Sequence, residues 1–341
     1  MRRVGVASVV AAIAALTAAP VIVGGTAAPA ARVVLQGMKN PTALAFSPHD
    51  GSLWIVDRYI AAGWLDRAIV VTQPGTARQR ARTYVDDSAH YMTEPTGIAF
   101  SPLYNEFATS ALNGGGPTLW TGDLRMFRNG RRSHLDMVHR SEPALGIAHG
   151  ADAERREYWV FNGAEGSIDR YFFNQPHELG GMDHTDGRVY RYVPRSLRAV
   201  SGVPGHVVYD RASRTVYVAD TGNGRIARFR TDGLSLEGRG DPLNAQGVEQ
   251  LYHVEGGTVE TVVEGLRQPS GLALANGHLV VGEYATGRVS VFTLDGRRTK
   301  SVLTGLGPRA LAGIAVAPNG RIYVADVRRG RLWSLTFRFG R

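Results

Sequence analysis

Residues Val203 to Phe229 read VPGHVVYDRASRTVYVADTGNGRIARF. Gly205 opens the stretch, and a short apolar run follows it. Polar turn residues come next, then the β-branched and aromatic run Val216-Tyr217-Val218-Ala219, which ends at Asp220. The turn Thr221-Gly222-Asn223-Gly224 leads into a second alternating run, Arg225-Ile226-Ala227-Arg228-Phe229. β-Branched and aromatic side chains suit a pleated, half-buried surface, while Gly, Asn and Asp supply turn conformations. The stretch therefore spells short strands separated by tight turns.

The same grammar returns along the chain. It reads PTALAFSPHDGSLWIVD from Pro41, PTGIAFSPLYNEFATSA from Pro95 and ALGIAHGADAERREYWVFNG from Ala144. It reads PSGLALANGHLVVGEYATGRVSVF from Pro269 and LAGIAVAPNGRIYVADVRRGRLWSL from Leu311. The six units align on Ala43, Gly97, Gly146, Gly205, Gly271 and Gly313, spaced from 42 residues (Gly271 to Gly313) to 66 (Gly205 to Gly271). Units of forty or more residues with four strands each are propeller blades, and no long helical periodicity competes beyond the N-terminal segment. The fold class is all-β, a six-bladed β-propeller. The sixth unit holds only three strands before Arg341, while VVLQGMKNPTALAF matches the segments that precede other units. Val33 to Gln36 is therefore expected to supply the missing outer strand and to hide a sheet edge.

The units resemble NHL repeats, most clearly in PGHVVYDRASRTVYVADTGNGRIARF and GIAVAPNGRIYVADVRRGRLWSL, and the resemblance covers nearly all of residues 31–341. It implies a six-bladed propeller and says little about activity, because enzymes, binding scaffolds and interaction platforms share that fold.

The N-terminus begins MRRVGVASVVAAIAALTAAPVIVGGTAAPAA. Arg2 and Arg3, an apolar run from Val4 to Val23 and small residues around Ala27 and Ala30 read as a secretory signal over residues 1–30. The rival reading is an uncleaved anchor, which Pro20 and the many Ala and Gly residues dilute. The propeller then spans residues 31–341, and the expected location is secreted or extracytoplasmic, without stable membrane insertion. With no cysteine, disulfides and thiolate metal sites are excluded. The net charge of +9 comes from arginines scattered along the chain, so a nucleic-acid-binding face is not expected. No nucleotide motif is present, since Asn113-Gly114-Gly115-Gly116 lacks a Lys and a strand–turn–helix context. A monomer is expected.

Candidate chemistry lies in FNQPHELGGMDHTDGRVYRY, Phe173 to Tyr192. With Glu157–Phe161 as the second strand of unit three and Arg188–Val193 as its third, Asn162–Gly187 is a long loop on the face where innermost strands begin. His206 starts the next blade on that face, and strand parity places His149 beside it. His177, His184 and His206 are then candidate ligands of a divalent ion, zinc or calcium, with His149 and Asp183 as alternates. The plainer reading is that His206 lines a polar channel wall and His149 bonds a carbonyl. Asp57, Asp220 and Asp326 recur at strand ends and read as turn caps.

Among NHL-type propellers, the peptidyl-hydroxyglycine amidating lyase holds zinc with channel histidines from separate blades, and Gly205-His206 is similar in position to such a ligand. The other strand starts carry Leu44, Ile98, Ile147, Leu272 and Ile314, so no catalytic residue carries over. Gluconolactonase-like propellers open on a Glu-Gly-Pro motif, which Glu94-Pro95 and Glu142-Pro143 echo only faintly. Two functions stand on this reading. One is a metal-dependent lyase or hydrolase acting at the channel mouth; the other is a non-catalytic scaffold binding a protein, peptide, glycan or small ligand through its loop face.

Overall fold

The computed structural model describes residues 31–58, 66–85, 92, 94–112, 116–126, 133–139, 143–243 and 249–335. The proposed signal, residues 1–30, lies outside the described residues. Among the described residues, no helix is long and apolar enough to cross a membrane.

The strands form six sheets around a central channel. The first strand, β1 (Ala31–Gln36), belongs to the last blade. Blade 1 is β2 (Pro41–Phe46), β3 (Leu53–Asp57), β4 (Arg67–Thr72) and β5 (Arg80–Val85). Blade 2 is β6 (Pro95–Phe100), β7 (Glu106–Ala111), β8 (Thr118–Thr121) and β9 (His134–Met137). Blade 3 is β10 (Ala144–His149), β11 (Glu157–Asn162), β12 (Ser167–Phe172) and β13 (Arg188–Tyr192). Blade 4 begins with β14 (Val207–Asp210), β15 (Thr215–Asp220) and β16 (Arg225–Arg230). The chain then leaves to add β17 (Arg239–Pro242) and β18 (Gln250–His253) to the edge of blade 3, before β19 (Val259–Val263) completes blade 4. Blade 5 is β20 (Pro269–Ala275), β21 (His278–Glu283), β22 (Arg288–Thr293) and β23 (Arg298–Leu303). Blade 6 is β24 (Leu311–Val316), β25 (Ile322–Asp326) and β26 (Arg331–Leu335), closed by β1 antiparallel to β26. The ring closure expected from Val33–Gln36 is present, with Val33 opposite Trp333 and Gln36 opposite Arg331.

The cores lie between blades, where neighbouring sheets face each other. Trp54, Phe107 and Trp120 fill the space between blades 1 and 2, and Trp159, Tyr192 and Phe229 that between blades 3 and 4. Trp120, Trp159 and Phe229 are fully buried. Full burial of such side chains contributes about 1.5–3 kcal/mol each.

At the inner ring the blades meet by backbone rather than by side chain. A Cβ built on Gly97 would lie 2.8 Å from Gly146 Cα, and one on Gly146 would lie 2.7 Å from His206 Cα. One on Gly313 would lie 2.9 Å from Ala43 Cα. The register pairs Ile147 with Val160 and Val207 with Val218, so His206, not Gly205, takes the place that Gly146 has in blade 3. The alignment on Gly205 was one residue out, and the parity it implied for His149 and His206 does not hold. Hydroxyls complete the ring: Thr42 Oγ1 donates to Pro95 O (2.7 Å), Thr96 Oγ1 to Ala144 O (2.5 Å) and Ser270 Oγ to Ala312 O (3.0 Å). In blade 4 the His206 ring does the same work, Nδ1 donating to Ser270 O at 2.9 Å.

Gly146 combines this close approach with φ of +63°, whereas Gly202 has φ of +76° and nothing within 4 Å of a built Cβ. Gly202→Ala should therefore cost about 1–2 kcal/mol, the left-handed penalty alone. Gly146→Ala should cost about 2–5 kcal/mol, because overpacking adds to that penalty. Urea denaturation of the two variants checks the difference; equal losses would contradict the backbone-contact account.

Candidate metal centre

The histidine loop stands on the other face from the one expected. The third strand of blade 3 is β12, so the turn after β11 is only 163–166 and the loop 173–187 joins β12 to β13. Antiparallel pairing through β10, β11 and β12 returns the chain to the lower face, where the innermost strands end. His206 precedes β14, at the upper face where those strands begin. What hid β12 was the polarity of SIDRYF. Asp169 is fully buried in it, accepting from Arg191 on β13 at 2.8 Å, so the charges sit inside the sheet as a pair.

On the lower, outer flank the loop folds back over blade 2. His177 N donates to Leu135 O and Gly180 N to His134 O, both at 3.0 Å, which docks the loop along β9. Gly181 lies against the His177 ring, where a Cβ would sit 2.7 Å from its Cγ. The docking brings His177 and His184 to His134, with ring centroids 4.8 Å (His134–His177), 5.6 Å (His134–His184) and 5.1 Å (His177–His184) apart. One nitrogen from each ring lies within 4.8 Å of the other two. Tetrahedral zinc at Zn–N of about 2.0–2.1 Å needs nitrogens about 3.4 Å apart, a gap that small side-chain rotations close. His134 is fully buried and His184 is 6% exposed. His177 Nδ1 donates to Glu178 O at 2.6 Å, which sets the tautomer and leaves the lone pair on Nε2. That Nε2 is buried and has no hydrogen-bond partner.

A second set shares His184. His139 Nδ1 lies 2.9 Å from Glu249 Oε1, and a ligand atom from each of His139, His184 and Glu249 again falls within 4.8 Å. Glu249, 1% exposed, arrives just before β18 on the segment that blade 4 sends to blade 3. On the same segment, between His134 and His139, stands Asp136, fully buried, with Oδ1 accepting from Met137 N and Oδ2 unpartnered. Burial pushes its carboxyl up to about 8, and the carboxylates of Asp186, Glu249 and Asp183 push the same way. Imidazole lone pairs and crowded carboxylates around one buried point are the environment that a bound cation relieves.

The predicted residues divide accordingly. His177 and His184 belong to the cluster. Asp183 is close enough to be felt by Asp136, but its carboxylate accepts from Thr185 N and Oγ1 and is in neither set. His206 is not brought to the loop: it is held in the inner ring, as the plainer reading had it. His149 ends β10 at the lower mouth of the channel, its Nδ1 3.2 Å from Gly150 O. Of the strand-end carboxylates, Asp326 caps the turn that follows it, whereas Asp57 and Asp220 reach back to the segment that enters their own blade. Asp57 accepts from Asn40 N (2.7 Å), Asp220 from Arg198 N (2.8 Å) and Asp326 from Arg329 N (3.0 Å). Missed in the sequence were His134, Asp136, His139 and Glu249. The segment His134-Leu135-Asp136-Met137-Val138-His139 carried a signal, since strand alternation puts His134 and Asp136 on one side. Glu249 carried none.

The last repeat matches the NHL repeat family over residues 311–334. No curated protein sequence matches the chain. Among solved structures it is similar to a calcium-binding protein, regucalcin, from Agrobacterium tumefaciens, at 13% identity and a TM-score of 0.57, covering 91% of this chain and 94% of that one. It is also similar to a gluconolactonase from Xanthomonas campestris, at 13% identity and a TM-score of 0.56, covering 89% and 88%. A chain of a nidogen–laminin complex matches at 13% identity and a TM-score of 0.52, covering 80% and 83%. At these identities the likeness is one of fold. The chain is a six-bladed NHL-type β-propeller.

Burial lowers the pKa of His206 from its ordinary 6.5 to about 4, against the favourable carbonyls of Ser270 and Thr42. Between those values the unfolded chain takes up a proton that the folded protein refuses, so stability is full above about pH 6.5 and falls as the pH drops towards 4. The loss should reach about 3 kcal/mol from this residue. In His206→Asn, which keeps a donor near Ser270 O, urea midpoints should lose that part of their acid slope; an unchanged slope would place the titration elsewhere.

Proposed function

We propose that this chain is an extracytoplasmic binding propeller whose rim is stapled by a divalent ion on His134, His177 and His184, with His139 and Glu249 as the neighbouring set. The observation that carries the proposal is the convergence of three imidazoles from two blades, two of them buried and that of His177 partly buried, on one point near the unpartnered carboxylate oxygen of Asp136. Imidazole donors favour zinc and its transition-metal neighbours, while calcium asks for six to eight oxygens. Three imidazoles leave one tetrahedral position, and β9, the 173–187 loop and the start of β18 bring Asp136, His139 and Glu249 as protein groups to fill it; a site with four protein ligands is structural rather than catalytic. A lyase or hydrolase would need an open position beside a cleft, so the geometry favours the scaffold over the enzyme. The apolar N-terminal segment supports export, and the scattered arginines support a peptide, glycan or small-molecule ligand over nucleic acid.

Metal analysis of the purified full chain should find about one zinc-class ion per molecule. Chelation should lower Tm by several degrees, and added zinc should restore it. A His134→Ala, His184→Ala double variant should contain no metal and be indifferent to chelator. Metal-free protein whose Tm responds to neither chelator nor zinc would refute the staple.

A further inference from the structure

Above the inner ring, the upper mouth of the central channel opens into a space of about 340 Å³. Four blades give it a mostly apolar wall. Leu112 follows β7, Pro143 and Leu145 stand at the start of β10, Val203 leads to β14 and Val327 follows β25. Leu145 and Val203 are buried and the other three partly so. Thr42 and Thr96 border the space, but their hydroxyls already serve the inner ring. Among the described residues no carboxylate lines it, and its one charged side chain is that of Arg58, just after β3. Arg58 is partly buried. Its backbone N donates to Asn40 O at 3.0 Å. With the Asn40 amide turned so that its oxygen faces the guanidinium, Arg58 Nε and Nη2 donate to that oxygen at 3.0 and 2.9 Å. The neighbouring carboxylate is engaged elsewhere. Asp57 is fully buried and accepts from Lys39 N (3.0 Å), Asn40 N (2.7 Å) and Arg67 Nε (2.8 Å). Among the described residues Arg58 makes no ion pair.

An amide oxygen orients a guanidinium without neutralising it, and a partly desolvated charge is costly until an opposite charge meets it. We infer that the upper mouth of the channel binds a small monocarboxylate carrying an apolar group, its carboxylate on Arg58 and its body against Leu112, Val203 and Val327. Asn40 occupies the Nε edge of the fork. That leaves Nη1 and the outer hydrogen of Nη2 to meet a carboxylate in two parallel hydrogen bonds. A concave, largely apolar space with a few convergent polar groups is the usual form of a small-ligand site. The assignment deepens the reading of the chain as a binding propeller and rests on it. It does not rest on the metal cluster, which stands on the lower outer flank.

Calorimetric titration of the full chain with benzoate, benzamide and acetate separates charge from apolar burial. Benzoate should bind with Kd on the order of 1 mM or tighter. Benzamide, which lacks the charge, and acetate, which lacks the ring, should each bind at least about tenfold more weakly. Arg58→Met should weaken benzoate binding at least about tenfold, and Arg58→Lys should fall between. Benzoate at about ten times its Kd should slow phenylglyoxal modification of Arg58, read by peptide mass, at least about fivefold. Modification of the exposed Arg80 should not change. Benzoate bound by a chain that holds no metal would support this assignment and fail the staple alone. With or without metal, no benzoate binding, equal binding of benzoate and either analogue, undiminished affinity in Arg58→Met, or no protection of Arg58 would each overturn it. Should Arg58→Met fail to fold, the protection of Arg58 decides.

Discussion

The whole ring depends on how closely the six innermost strands approach one another. Gly97, Gly146 and Gly313 place backbone against backbone at distances that exclude a Cβ. That contact brings a threonine or serine hydroxyl within reach of the next blade's carbonyl, and each such buried bond contributes about 1 kcal/mol. Blade 4 breaks the pattern with a histidine in the glycine place. Its imidazole enters the channel and reaches across to Ser270 O, doing what a hydroxyl does elsewhere. The same narrowing that makes His206 structural divides the channel, so that its lower half becomes a space of its own.

The outer rim solves a different problem. Blades splay apart with distance from the axis, and their outer strands would be loosely held if each sheet stood alone. Connections on the lower face answer this by reaching back to the preceding blade. Pro74 O, before β5, accepts from Tyr323 of blade 6, and Gln79 Nε2 donates to Val34 O. Blade 4 sends β17 and β18 to blade 3, where β18 runs parallel to β13 and β17 pairs antiparallel with β18. The 173–187 loop does likewise onto β9, and there the contact is imidazole and carboxylate rather than backbone alone. The candidate metal centre is thus a chemical version of a device the fold uses repeatedly.

How much of this was legible depended on whether a residue's role was local. The repeat grammar read directly, because it needs only near neighbours in sequence, and ring closure by Val33–Gln36 read from the blade pattern, because the sixth unit holds three strands and a fourth must come from the other end of the chain. His177 and His184 stood out for the same reason. Their partner did not. Asp169 and Arg170 made β12 look like loop, since a sequence does not show that Arg191 will bury a matching charge on the next strand. Counting one strand too few turned the loop to the wrong face and paired it with His206. The single-residue slip at Gly205 arose because the position that is glycine or alanine in other blades is histidine here.

From the sequence by itself came the class of fold, the number of blades, the closure and two of the three imidazoles. Those follow from alternation, turn chemistry and spacing, which act over a few residues. Only the tertiary structure decided which surfaces those imidazoles meet. Glu249 lies over a hundred residues from His139 in the chain and 2.9 Å from it in space. It comes there through a segment that deserts its own blade for its neighbour. No local preference encodes such a crossing; it is settled by which sheet edge has open hydrogen bonds to offer.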